Sequence, residues 1–349
     1  MREVRIKDVA ARAGVSTATV SRVLHNNGYV SAESRQRVEE ALRESGYRLN
    51  VVAQELRRRK TMSLGLILHG AMSNPFVAQV AFGAAQAAAE QGFNVLFFNA
   101  RGDAEREHES VEALLRRRVD GVVFTTAVSR ANVELALEAG ITAVEIERRL
   151  CPGAASVVVD NYAGATEATE HLIGLGHRRI GYIGEPIAGT APADDAQSVV
   201  RERFTAYRDA LQRAGQPPED SWIVAGPYPR EQGGWGGVET GASYMERLLR
   251  QAPGLTAVVA ASDMLAAGAL QSLYREGRRV PDELSIVGFD DTFAKHLAPA
   301  LTTVRQPMFE MGFKAISLAI GFIDGGRHSA VAEHCATELI VRSSTAPPP

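Results

Sequence analysis

The sequence predicts a small all-α N-terminal domain, a helix-turn-helix headpiece, followed by a larger α/β domain of two doubly wound parallel-sheet subdomains. Three features predict it. The 349 residues exceed what one hydrophobic core usually organises, so two or three domains are expected. Residues 1–60 carry 13 Lys/Arg against 7 Asp/Glu, whereas the remainder carries 25 against 34, so a basic segment precedes an acidic one. From about residue 62 onward, apolar β-type runs alternate with helical stretches, as repeated βα units require.

Composition removes several classes. Hydrophobic content of 45% and charged content of 23% are ordinary for a soluble globular chain, and no apolar run is long enough to span a bilayer, so no membrane partner is expected. The start, Met1 to Asp8, lacks the apolar stretch of a secretory signal, which predicts a cytoplasmic protein. Cys151 and Cys335 belong to no C-x-x-C or Cys/His cluster, so reduced thiols are expected, with no disulfide and no metal. An enzyme would need a nucleophile or acid/base constellation. The sequence holds no G-x-S-x-G, Walker loop, complete G-x-G-x-x-G or H-E-x-x-H, so neither catalysis nor a cofactor is expected, and His69, His171 and His177 read as structural.

The first helix is predicted over residues 6–13, with Ile6, Val9, Ala10 and Ala13 on one face, and Gly14 ends it where a tight turn takes positive φ. Ser16 is placed to cap a second helix over Thr17–Leu24. There Val20, Val23 and Leu24 share one side and leave Thr17, Ala18, Ser21 and Arg22 outward. A third helix, capped by Ser31 and ended by Gly46, buries Val38, Ala41 and Leu42. Spacing alone fits a plain helical hairpin as well as a DNA-reading pair, in which early residues of the second helix reach base edges in the major groove.

The wording from Ile6-Lys7-Asp8-Val9-Ala10-Ala11-Arg12-Ala13-Gly14-Val15-Ser16 to Thr17-Ala18-Thr19-Val20-Ser21-Arg22-Val23-Leu24 resembles the headpiece of the LacI/GalR family of bacterial repressors. Further resemblance at Leu172–Ile180, Leu301–Pro307 and Glu338–Arg342 extends it from about Ile6 to Ser344. The resemblance implies that Thr17 and Ala18 choose operator bases, that Arg22 contacts a guanine, and that Ser16, Thr19 and Ser21 hold phosphates. It also implies that Asn50–Arg59 is a hinge helix that folds on DNA, as expected of a segment too short to be helical alone in water. Asn50, Ala53 and Leu56 would touch DNA, with Leu56 levered into the minor groove. The run Arg57 to Lys60 fits a solvated linker as well as phosphate contact. The partners implied are double-stranded operator DNA with a pseudopalindromic site, a small-molecule effector, and a second copy of the chain in a homodimer or tetramer.

In the remaining chain, apolar runs at Leu64–Leu68, Val95–Phe98, Val122–Phe124, Val157–Val159, Ile180–Ile183, Val258–Ala260 and Leu284–Phe289 read as parallel strands covered on both faces. Helices are predicted at Pro75–Glu90, Glu105–Arg117, Ala163–Leu175, Arg203–Ala214 and Leu265–Glu276. Two such sets imply two subdomains with a cleft, resembling periplasmic sugar-binding proteins as the family does. The expected division is a headpiece over 1–48, a hinge over 49–60, and an effector-binding and dimerisation domain over 61–345. Within that domain, 61–161 and 293–322 would form the N-subdomain, and 162–292 and 323–345 the C-subdomain. Residues 346–349 are expected to be a disordered tail by composition.

Ligands in open α/β sheets sit beyond the carboxyl ends of strands, so pocket candidates come from the loops just after them. Asn74 and Phe76 follow the first strand, although Asn74-Pro75-Phe76 serves equally as a helix start. Asp160 follows a Val-Val-Val strand and Asp290 ends Ile286–Phe289, where a carboxylate can accept polyol hydroxyls, cap a helix or form a hinge salt bridge. The family match favours Asp290, and it assigns Arg203 to the pocket, its planar fork suited to oxygens. Tyr228 matches an aromatic pocket wall or fills a subdomain interface. Ser262 stands where the family usually has Asn. Paired acids, one Arg and an aromatic wall fit a sugar or polyol, while similar frames in the family bind purines or protein corepressors. A periplasmic-type sugar-binding module without a regulatory role is the competing reading, and the basic headpiece argues against it.

Overall fold

The computed structural model describes residues 4–24, 27–47, 60–70, 72–184, 199–226, 237–325 and 329–349. It divides into two units, Met1–Thr61 and Met62–Pro349. In the first, helices α1 (Ile6–Ala13), α2 (Thr17–Leu24) and α3 (Ala32–Ser45) close on a core of Val9, Ala10, Ala13, Val20, Val23, Val38 and Ala41. Local chemistry sets every boundary. Gly14 ends α1 at φ 64°, Ser16 Oγ accepts the Thr19 N–H at 3.1 Å, and Ser31 Oγ accepts the Ser34 N–H at 3.3 Å. The Asp8 carboxylate reaches back to the Arg5 N–H at 2.8 Å, satisfying a donor that the first turn leaves open.

The second unit holds two six-stranded sheets. The first contains β1 (Ser63–Leu68), β2 (Asn94–Asn99), β3 (Gly121–Thr125), β4 (Thr142–Ile146), β5 (Ala155–Val159) and β11 (Ala332–Cys335), in the order β11-β5-β4-β3-β1-β2. The second contains β6 (Ile180–Gly184), β7 (Ile223–Ala225), β8 (Ala257–Ala260), β9 (Ser285–Asp290), β10 (Thr302–Arg305) and β12 (Glu338–Ile340), in the order β12-β10-β9-β8-β6-β7. All pairings are parallel except β12 on β10. The first sheet is covered by α4 (Pro75–Glu90), α5 (Ala104–Arg116), α6 (Arg130–Glu138) and α11 (Met308–Gly325). The second is covered by α7 (Asn161–Gly174), α8 (Val199–Arg213), α9 (Val238–Gln251) and α10 (Asp263–Arg275). Helices α4 and α11 meet backbone to backbone: a Cβ at Gly83 would lie 1.9 Å from the Phe309 carbonyl oxygen.

Several expectations are corrected here. The chain crosses between the sheets after β5, where a crossing near 161 was expected, and again near 306 and 336, where crossings near 292 and 323 were expected. Pairing is the reason: β10 runs beside β9 with Thr303 opposite Gly288, and β11 runs beside β5 with Glu333 opposite Val157. These two strands are four residues long and partly polar, so nothing local announces them. Arg203 does not open its helix but lies one turn inside α8. A 3₁₀ turn, Asp220–Trp222, leads into β7. The terminal residues are not a free tail. The Ala346 N–H donates to Ser285 Oγ (3.0 Å), and the Ala346 carbonyl faces His177 Nε2 at 2.9 Å. His177 and Ser285 are fully buried and need partners, which the chain end supplies. Among the described residues, no helix is long and apolar enough to cross a membrane.

Candidate functional site

Two sites follow from this frame, one in each unit. On α2, Val20 and Val23 are buried, while Ser16, Thr17, Ala18 and Arg22 are exposed and Thr19 and Ser21 half-buried. The inward face is spent on the core, so the outward face presents small side chains at the helix start and one guanidinium, Arg22, in the last turn. Ser16 and Thr19 also bond to each other (3.0 Å), fixing both hydroxyls at that end. Tyr29, not singled out from sequence, stands 90% exposed in the loop after α2. Asn50, Ala53 and Leu56 lie outside the described residues.

The second site lies where strand ends of the two sheets meet. Arg203, buried on α8, donates from Nε to Asn161 Oδ1 and from Nη1 to the Ala261 carbonyl, both at 2.8 Å, and its plane covers the Phe289 ring at 3.7 Å. The same guanidinium is 3.9 Å from Asp290 Oδ1, at the end of β9, and 3.9 Å from Glu147 Oε1, just past β4. Glu147 belongs to one subdomain and Arg203 to the other, so the ion pair spans the cleft. At 3.9 Å neither contact is a hydrogen bond, and Arg203 leaves the facing carboxylate lone pairs unconsumed.

Asp290 accepts the Gln306 side-chain amide at 2.8 Å, and burial lifts its carboxyl to about 6 against the opposing pull of Arg203 and Gln306. Its neighbour Asp291 is tied to Arg305 (2.8 Å) and Arg342 (2.6 Å), which makes Asp290 the acid available to the cleft and Asp291 a structural one. Behind it, buried Asp263 accepts the Thr303 hydroxyl (2.6 Å) and the Thr292 N–H (3.2 Å), and burial, then the nearby Asp290 charge, push its carboxyl well up. Four non-glycine residues at these strand ends have left-handed backbone: Thr126 (φ 55°), Glu147 (φ 73°), Asp290 (φ 125°) and Asp291 (φ 58°). Such conformations cost about 1–3 kcal/mol each and gather at working sites. The Thr126 hydroxyl donates to Glu147 Oε2 at 2.5 Å, locking the two strand ends together.

The structure therefore brings Arg203 and Asp290 together and adds Glu147, Asn161, Phe289 and Gln306, none of which the sequence reading assigned. Glu147 obeys the strand-end rule that found Asp160 and Asp290, and it escaped because β4 was not recognised as a strand. Ser262 caps α10 through the Leu265 N–H (3.3 Å), beside the Ala261 carbonyl that holds Arg203. Asp160 is exposed and caps α7 through the Ala163 N–H (2.8 Å). Asn74 caps α4 through the Phe76 N–H (2.9 Å), and Phe76 packs into the first subdomain's core. Among the described residues, no hydrogen bond or ion pair joins Asn74 or Phe76 to the Arg203 cluster. Tyr228 lies outside the described residues.

The family model for lacI-family bacterial regulatory proteins matches residues 5–50, and that for the periplasmic binding protein-like domain matches residues 169–345. The transcriptional regulator DegA of Bacillus subtilis is 35% identical over 350 residues, covering 98% of both chains. The chain belongs to the lacI family of bacterial regulatory proteins. It is thus a DNA-binding transcription regulator, and its helix-turn-helix lies within the matched residues 5–50. Two solved structures of the family match along nearly the whole chain. One is the CelR–cellobiose complex, 31% identical with a TM-score of 0.71, covering 98% of this chain and 100% of that one. The other is the Lac repressor dimer bound to operator and the anti-inducer ONPF, 25% identical with a TM-score of 0.83, covering 99% and 100%.

Proposed function

We propose that this protein is a cytoplasmic repressor that binds a pseudopalindromic operator as a homodimer and changes its operator affinity when a carbohydrate or polyol enters the cleft between its subdomains. The observation that carries the effector reading is the guanidinium of Arg203, shared between Glu147 of one subdomain and Asp290 of the other. A ligand whose hydroxyls bond to these acids interacts differently with each arrangement of the subdomains, and that differential is what shifts a conformational equilibrium. CelR holding cellobiose on the same fold supports a sugar. On DNA, Thr17, Ala18 and Arg22 read bases in each half-site, Ser16, Thr19 and Ser21 hold phosphates, and Asn50, Ala53 and Leu56 engage the minor groove.

The test is selection of the purified protein on a randomised duplex pool at fixed salt, with and without a mixed sugar library, because phosphate contacts make affinity steeply salt-dependent. An enriched pseudopalindrome whose occupancy changes with one sugar is expected. Failure to enrich any sequence above non-specific binding overturns the operator assignment, and occupancy indifferent to every sugar overturns the effector assignment.

A further inference from the structure

The charge around Arg203 separates one class of effector from another. Arg203 is the cation at the centre of the site, with two of its N–H donors committed to protein oxygens, Nε to Asn161 and Nη1 to Ala261, and Nη2 3.9 Å from Glu147. Phe289 covers its face. Glu147 and Asp290 stand 3.9 Å from the guanidinium, and the carboxyls of Asp160, next to Asn161 in sequence, and of Glu202 add to the acidic set through their mutual electrostatic influence. Glu202 neighbours Arg203 in sequence, and its carboxyl is raised by burial and by the charges of Asp160 and Glu147. Four acids against one guanidinium, or against two with Arg148 beside Glu147 counted, leave the site net negative when the carboxyls are ionised.

A second observation points to the ligand's hydrogen-bonding character. Gln306, 4% exposed, spends its amide nitrogen on Asp290 and leaves Oε1 buried without a partner. A buried acceptor of this kind calls for a donor.

We propose that the cleft is a charge filter: it takes an uncharged polyhydroxyl ligand that donates hydrogen bonds to Glu147, Asp290 and Gln306, and it rejects phosphorylated or carboxylated forms of the same ligand, with Asp160 and Glu202 setting the discrimination. The inference rests on the carbohydrate reading of the cleft. A phosphate offers acceptor oxygens and negative charge where the site offers carboxylates, and like charges facing each other across a binding site cost several kcal/mol.

The experiment titrates the full-length protein, at about pH 8, with neutral mono- and disaccharides, each paired with its phosphomonoester. Calorimetry reads binding and fluorescence anisotropy reads operator release. At least one neutral sugar should bind, with its phosphomonoester at least about 100-fold weaker. In the double variant Asp160→Asn/Glu202→Gln that ratio should fall about tenfold or more while the neutral sugar still binds. A phosphomonoester that binds as tightly as its neutral partner, or a ratio unchanged in the double variant, overturns the filter and leaves the carbohydrate reading standing. A panel in which no member of any pair binds, with operator binding intact, overturns the carbohydrate reading and the filter with it. Asp160→Asn alone provides the same readout should the double variant fail to fold, since Asp160 is exposed.

Discussion

Asp290→Asn should make the protein more stable at neutral pH and at the same time deaf to its effector. The wild-type carboxyl is raised from an ordinary 3.8 to about 6, chiefly by burial and net of the attraction of Arg203. At about 1.36 kcal/mol per pH unit, that difference corresponds to about 3 kcal/mol. The sign is fixed by linkage. Between about pH 4 and 6 the folded chain holds a proton that the unfolded chain has released, so stability from this group is greatest below about pH 4 and is lost as pH rises through about 6. Above that, the folded state carries an ionised carboxylate in a nearly buried position, its side chain 13% exposed. Asparagine keeps the acceptor that Gln306 uses, tolerates positive φ, and has no charge to bury. The variant should therefore melt about 5 °C above wild type at about pH 8, with the gap closing towards about pH 4. Differential scanning calorimetry across that range reads the gap, and operator release by an inducing sugar reads the response. A variant less stable than wild type at about pH 8, or a gap that does not change with pH, refutes the reasoning.

Two further outcomes follow from other parts of the molecule. Leu56→Ala should weaken operator binding and reduce DNA bending, measured by gel phasing, while sugar affinity stays at the wild-type value; bending that does not change removes Leu56 from the minor groove. Gly83→Ala forces a methyl group against the Phe309 carbonyl, so α4 and α11 must separate. A loss of about 2 kcal/mol is expected, seen as a melting temperature lower by several degrees, and an unshifted melting curve would mean the two backbones are not in contact.

The headpiece was legible to the residue because everything that fixes it is local. Apolar spacing selects each buried face, and Gly14, Ser16, Ser31 and Gly46 mark the ends within one turn of the helices they bound. The α/β domain was legible as a class, since runs such as Leu64–Leu68 and Val122–Phe124 are apolar on both faces. Its later crossings were not, because β10 and β11 are defined by strands about 15 and about 175 residues earlier in the chain rather than by their own composition. The same blindness hid Glu147. Without β4 there was no strand end to search, although Glu147 holds the charge that binds one subdomain to the other. Asn74 and Asp160 show the converse. A polar residue after a strand is also the residue that starts the next helix, and in both positions the structure displays the capping bond.

The positions that resist a local reading are also those under strain. Thr126 is β-branched at φ 55°, Glu147 pairs left-handed backbone with a buried carboxyl and Asp290 with a nearly buried one, arrangements that a chain selected for stability alone would lose. They persist where tightly packed elements surround them, and the surroundings here are rigid: the Gly83 contact clamps α4 to α11, and Asp291 is fixed between Arg305 and Arg342. Rigid subdomains that share one guanidinium across a cleft have little freedom to absorb a ligand locally. A hydroxyl that bonds to Glu147 and Asp290 changes the balance of a contact belonging to both subdomains, so its binding energy is expressed in their relative arrangement rather than in either fold. That coupling is what an effector needs in order to reach a headpiece it never touches.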